Sequence, residues 1–206
     1  MKDFTMSLGM HSTFYNRGNI EGPAFPFYYR MAPQEFQMQT NGPTAPKRPQ
    51  PVHGSVHDPN AFSLDGVSGH AGLFSTAGDV AKLCQMILNN GTYNGQRIFR
   101  KETVDLMFTD FNTAFPGNSH SLGFEIDGYY FSGPLAYTGN SIGHTGFTGT
   151  SLVIDRPTNS FIVHLANAVH PNSNWSLNNI VREVLGYWVM QALGRNVSFP
   201  PLHPVY

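Results

Sequence analysis

Gly143-His144-Thr145-Gly146-Phe147-Thr148-Gly149-Thr150-Ser151 is the run of this sequence best suited to chemistry, and it stands immediately before an expected strand. Its glycines let backbone approach a ligand with no Cβ in the way, so that main-chain N–H groups can donate to it. His144 adds a proton-responsive donor, and Thr145 adds a hydroxyl. An ordinary glycine-rich turn has the same composition, so taken alone the run leaves site and turn equally open.

The other reactive side chains read as ordinary. His53 and His57 have helical ligand spacing and are followed by Asp58, but Pro51, Gly54 and Pro59 oppose a helix that would converge them on zinc. His70, between Gly69 and Ala71, either lines a cleft or bonds backbone in a glycine loop, and the second reading is favoured. Cys84, the single cysteine, falls in a helical pattern and reads as a small buried hydrophobe.

Twelve Lys and Arg against thirteen Asp and Glu give a formal charge of -1, so there is no basic field to hold nucleic acid or anionic lipid. No apolar run reaches the ~18 residues of a membrane span, and residues 1–15 do not read as a signal peptide. Three glycosylation sequons, at Asn90, Asn174 and Asn196, would matter only in a secretory context. Localisation is therefore left open.

Several elements must position the glycine-rich run. Ser7-Leu8-Gly9 reads as a helix end with Gly9 left-handed. Residues 16–60 hold eight of the fifteen prolines and read as an extended excursion over the domain. Residues 66–108 form a helical region. Thr76 with Asp79 resembles a capping box, Val80, Leu83, Cys84 and Ile87 make an i, i+3, i+4, i+7 stripe, and Asn94-Gly95 signals a turn. Glu102 to Phe108 reads as a short second helix.

Residues 120–194 are expected to hold a sheet and a C-terminal helix. Phe124–Ile126 and Tyr129–Phe131 flank Asp127-Gly128 as a hairpin, and strands near 148–155 and 161–167 flank a polar turn. Leu177 to Leu193 places Ile180, Val181, Val184, Leu185, Trp188 and Val189 at helical spacing, with Gly194 as the stop. Helices first, then adjacent antiparallel strands, then one closing helix, is an α+β pattern.

His144-Thr145-Gly146 resembles the third active-site box of the serine β-lactamase and penicillin-binding-protein superfamily, written K-T-G in many members and H-T-G in one D-Ala-D-Ala carboxypeptidase-like and esterase-like branch. Leu8-Gly9-Met10 followed by Thr13, Val56 to Ala61, and Gly66 to Thr76 resemble that branch in order and spacing. The resemblance implies the C-terminal part of the β-lactamase/transpeptidase-like fold: an antiparallel sheet with a C-terminal helix packed on it plus a partial helical region, residues 1–206 forming one incomplete domain. It also implies acyl transfer in which a serine attacks a carbonyl, a lysine one turn later takes its proton and a tyrosine assists. By the same resemblance the Phe147 N–H supplies half of an oxyanion hole, Thr145 holds a substrate carboxylate or carbonyl, Gly146 keeps the strand edge clear for substrate, and His144 tunes the electrostatics.

The nucleophile box does not occur in these residues. Lys47, Lys82 and Lys101 are preceded at S-x-x-K spacing by Thr44, Asp79 and Ile98, Lys2 by nothing, and no tyrosine has asparagine two positions on. The expectation is thus a piece of a serine hydrolase of amide or ester bonds, a gene-model fragment or a degenerate relative, inactive alone and without cofactor or metal. Its expected partners are a small-molecule or peptide substrate and either a missing N-terminal half or a second copy, since a sheet without neighbours exposes edges and an apolar face. The alternative is a non-catalytic remnant that binds a ligand in the former cleft. A serine paired with His70 or His144 ranks last, because a nucleophile needs a base held by a third group and no such trio is legible.

Overall fold

The computed structural model describes residues 2–20, 22–35, 48–173 and 178–199. Residues 36–47 of the excursion, the sequon at Asn174 and Leu177 lie outside the described residues. The elements in chain order are α1 (Lys2–Ser7), β1 (Phe14–Tyr15), α2 (Pro59–Ser63), β2 (Leu73–Phe74), α3 (Ala77–Leu88), β3 (Thr92–Tyr93), β4 (Gln96–Arg97), α4 (Lys101–Leu106), β5 (Glu125–Ile126), α5 (Tyr129–Ser132), β6 (Ser141–Thr145), β7 (Ser151–Asp155), β8 (Ser160–His164) and α6 (Asn178–Ala192). The fold is α+β, and the described residues hold a four-stranded antiparallel sheet in the order β5-β6-β7-β8 and two two-stranded antiparallel pairs, β1-β2 and β3-β4.

The expected exposed apolar face is not found, because both faces of that four-stranded sheet are covered within the described residues. Ile142 and Ile154 join Leu8, Met10, Cys84, Met86, Ile87 and Val104 in one core, on the side of α3. Val153 joins Phe131, Leu135 and Met190 in another, on the side of α5 and α6. Double coverage explains why β7 reads Leu-Val-Ile rather than alternating with polar residues.

The first half is built around α3. Thr76 caps it by accepting the Asp79 N–H at 3.2 Å. The Asp79 carboxylate, however, does not close a capping box. It accepts the Ser12 N–H at 2.7 Å, the Thr13 hydroxyl at 3.0 Å and Lys82 Nζ at 3.0 Å, tying the segment after α1 to the helix. Leu8 and Met10 enter the core beside Cys84 while Gly9 takes φ +66, so the Leu-Gly-Met-x-x-Thr spelling is a packing device. Asn94 (φ 51) and Gly95 (φ 77) make the turn between β3 and β4.

Asp79 is buried, which alone would raise its pKa, but the hydrogen bonds from Lys82, Ser12 and Thr13 hold it below the usual carboxylate value. A depressed folded pKa contributes stability that is present above the unfolded value of ~3.9 and lost as pH falls through the folded value. Asp79→Asn is expected to cost about 2 kcal/mol at pH 7. The deficit should shrink as the wild type is acidified below about pH 4. Urea midpoints at the two pH values check this, and an equal deficit at both would refute it.

Two expectations need correction. Residues 124–131 are not a hairpin: β5 pairs with β6, and Tyr129–Ser132 is the short helix α5. Asp127, at φ 50, accepts the N–H and hydroxyl of Ser141 on its carboxylate, and its own N–H goes to the Ser141 carbonyl. That fixes β6 as the partner. Phe131 is then buried against Gly143, where a Cβ would strike its ring. The second correction concerns α6, whose buried residues are Arg182, Glu183, Gly186 and Met190, while Val181 and Trp188 are exposed. Gly186 lies on the Ser132 carbonyl, and this close backbone approach, rather than the apolar stripe, sets the rotation of the helix. Gly194 (φ +70) ends it as expected.

Candidate active site

His144 and Thr145 are the last two residues of β6, a strand the sequence did not signal, and the run leads as expected into the strand β7. β7 pairs along one side of β6 as far as Thr145↔Ser151, but β5 on the other side is opposite only Ile142 and Gly143. The strand edge is therefore open at His144 and Thr145, although β6 is interior elsewhere. Gly146 to Thr150 then form a tight turn, with Gly146 N–H bonded to the Thr150 carbonyl at 2.8 Å and Gly149 N–H to the Gly146 carbonyl at 3.0 Å. Phe147 projects from it, 70% exposed. No described residue accepts the Phe147 N–H.

Beside the open edge sits a polar cluster. The Tyr130 hydroxyl donates to Glu125 Oε1 at 2.5 Å, with the Thr145 side chain nearby. Burial, and next the Glu125 carboxylate, push the Tyr130 pKa up to about 12, so the phenol stays protonated at neutral pH. Glu125 also lies 3.9 Å from His144 Nε2, and His144 Nδ1 is 2.8 Å from the Thr145 carbonyl oxygen. The cluster places a carboxylate, a phenol and an imidazole near whatever the Thr145 hydroxyl touches.

From behind, Arg182 of α6 reaches the turn. Its Nη2 donates to the carbonyls of Gly146 at 3.1 Å and Thr150 at 3.0 Å, and Nη1 donates to Asn179 Oδ1 at 2.9 Å. Burial lowers the pKa of this guanidinium. Gly146 also matters for a reason other than room for substrate, because a Cβ there would overlap Thr150 Oγ1 of the same turn. Gly146→Val is thus expected to lose about 1–3 kcal/mol of stability by overpacking. An unchanged melting temperature would sink this reading of the turn.

A model of the family described as Beta-lactamase matches residues 2–186. The chain belongs to the beta-lactamase family. It is 44% identical over 128 residues to an N-acetylmuramyl-L-alanine amidase of Bacillus subtilis (strain 168), which covers 60% of this chain and 28% of that one. It is 41% identical over 127 residues to a protein of Escherichia coli (strain K12) provisionally named D-alanyl-D-alanine carboxypeptidase, covering 60% of this chain and 29% of that one. The chain thus spans less than a third of the curated relatives it matches. The octameric penicillin-binding protein homologue from Pyrococcus abyssi shares the fold, with TM-score 0.54 and 20% identity over 95% of this chain and 37% of that chain.

Within this beta-lactamase-family fold His53 and His57 do not converge on a common point. His53 Nε2 lies 2.9 Å from the Met31 carbonyl oxygen, whereas His57 Nε2 lies 2.9 Å from Glu35 Oε1. The His57 ring stacks on Phe147 with centroids 5.5 Å apart, bringing the excursion to the box. Burial raises the Cys84 thiol pKa to about 12, which leaves it unreactive at neutral pH.

His70 departs from expectation. Instead of bonding backbone it joins two side chains, with Nδ1 2.7 Å from Ser68 Oγ and Nε2 3.0 Å from Asp58 Oδ1. A serine, histidine and aspartate trio therefore exists where the sequence showed none. The His70 side chain is 56% exposed, and the same Asp58 oxygen accepts the Ala61 N–H as the cap of α2. The trio clips the 66–72 loop to that helix.

Spacing did not reveal Glu125, Tyr130 or Arg182. The only signal was an arginine and a glutamate inside the apolar pattern of α6, at 182 and 183.

Proposed function

We propose that this chain is the third-box half of a serine acyl-transfer site acting on amide or ester bonds, and that the nucleophile comes from an S-x-x-K segment outside these residues. The unpaired Phe147 N–H, on a braced turn directly after an open His144-Thr145 edge, carries the reading. An N–H so placed can donate to the oxygen that becomes negative as a carbonyl is attacked, and a pre-aimed donor needs no reorganisation during reaction.

The roles follow from the contacts. Thr145, on the open strand edge, donates to a carboxylate or carbonyl of the substrate, while His144 and Glu125 set the charge beside it. Gly146 allows the turn to close. The serine N–H of the upstream segment supplies the second oxyanion donor, and the lysine of that segment takes the serine proton. The similarity to an amidase and to a provisionally named carboxypeptidase supports a peptide or amino-sugar amide as the substrate class.

The test is to join the chain to an upstream segment carrying S-x-x-K and Y-x-N and to follow ester or D-Ala-peptide turnover. Thr145→Ala should lower kcat/KM by about 10- to 100-fold, the usual worth of one hydrogen bond to a charged group, with the melting transition unchanged. Turnover indifferent to Thr145 would reject the site and favour a non-catalytic ligand-binding cleft.

A further inference from the structure

Arg182 is 5% exposed, and its Nε has no hydrogen-bond partner. None of the ion pairs among the described residues involves it. Burying a guanidinium without a carboxylate is costly, and a well-packed apolar residue would hold α6 against the sheet more cheaply. The charge therefore calls for a reason beyond packing, and the atoms it touches supply one.

The Gly146 carbonyl and the Phe147 N–H belong to one peptide unit. That unit is planar and trans, so its N–H points opposite to its C=O. Arg182 Nη2 pins the Gly146 oxygen from the α6 side at 3.1 Å, which turns the Phe147 N–H the other way. A second bond to the Thr150 carbonyl at 3.0 Å, and one from Ala168 N–H to the Thr148 carbonyl at 2.9 Å, hold the rest of the turn in the same sense. A cation on a peptide oxygen also polarises the group, making its N–H a stronger donor, as in hydrogen-bonded chains.

We propose that Arg182 is a positioning residue that aims and polarises the Phe147 N–H through the Gly146 carbonyl, without touching substrate. This rests on the reading of that N–H as an oxyanion donor. The fork geometry matters, because one nitrogen reaches two carbonyls while another is held by Asn179, and a lysine ammonium offers no such planar pair.

Two measurements separate this proposal from the site assignment beneath it. The first uses the 206-residue chain alone and follows amide hydrogen exchange at Gly146 and Gly149, whose N–H groups close the turn. Arg182→Met should speed both by at least about tenfold while the amides of α6 keep their protection. Equal exchange in the variant, or no protection in the wild type, overturns the proposal. If Arg182→Met does not fold, Arg182→Gln, which keeps a neutral donor, is measured in its place with the same criterion.

The second uses the chain joined to its upstream segment. Here kcat should fall about 10- to 100-fold in Arg182→Met, with KM changed less than about threefold, because an oxyanion donor acts in the transition state. Arg182→Ala should recover turnover in millimolar methylguanidinium, which a merely misfolded variant would not. A rise in KM at constant kcat would overturn the proposal. If the joined wild type is inactive while the exchange result holds, the acyl-transfer reading fails and the brace on the turn stands.

Discussion

Purified alone, the 206-residue chain is expected to leave a fluorescent penicillin unbound and an ester uncleaved, and to gain turnover when joined to a segment carrying S-x-x-K and Y-x-N. Removing the nucleophile or its base from a serine hydrolase costs on the order of 10⁶ in kcat, and no S-x-x-K occurs in these residues. Stability should rise with activity. Among the described residues β8 pairs only with β7, so its outer edge presents unpaired N–H and C=O groups for a further strand. The upstream segment would bring the second oxyanion donor to the open side of His144 and Thr145.

Melting transitions and turnover, measured on the two parts separately and joined, test this. Two outcomes would overturn it. Stoichiometric fluorophosphonate labelling of the chain alone, abolished by Ser68→Ala, would hand the chemistry to the Ser68–His70–Asp58 trio. A cooperative monomeric melt that the added segment leaves unchanged, with no turnover gained, would make the chain a ligand-binding remnant.

The second large effect is expected at Gly186. A Cβ there would overlap the Ser132 carbonyl oxygen and crowd Gly133, both backbone, so no side-chain rotation relieves it and α6 must move. Replacing glycine by alanine in a helix ordinarily gains about 0.5–1 kcal/mol. Gly186→Ala should instead lose about 3 kcal/mol, the upper range of overpacking costs. For a chain of this size that corresponds to a melting temperature lower by about 6–12 °C. Gly78, near the start of α3, has open space where a Cβ would stand, with nothing within 4 Å, and is the matched control, expected to be neutral or stabilising on change to alanine. A shift at Gly186 no larger than at Gly78 would show that this contact does not seat the helix. Because α6 carries Arg182, the same displacement should also loosen the Gly146–Thr150 turn.

Local spacing carries some of these features in full. The capped, apolar-striped α3, the Asn94-Gly95 turn, the stop at Gly194 and the box at His144-Thr145-Gly146 each depend on residues within a few positions of one another. Backbone dihedrals and cap hydrogen bonds act over that range, so the sequence alone determined them, and with the order of its motifs it determined the family.

Tertiary structure decided the rest. Asp79 has the position of a capping-box acid but is bonded to Ser12 and Thr13, because α1's following segment packs there. Tyr129–Phe131 has strand-forming composition but becomes helix, because Asp127 bonds Ser141, fourteen residues on. The apolar stripe of α6 pointed one way, and Gly186 against the Ser132 backbone turned it another, burying Arg182 behind the box. Periodicity records which residues could share a face. Which face is buried is settled by how closely two distant backbones can approach, and that depends on a partner no local pattern encodes.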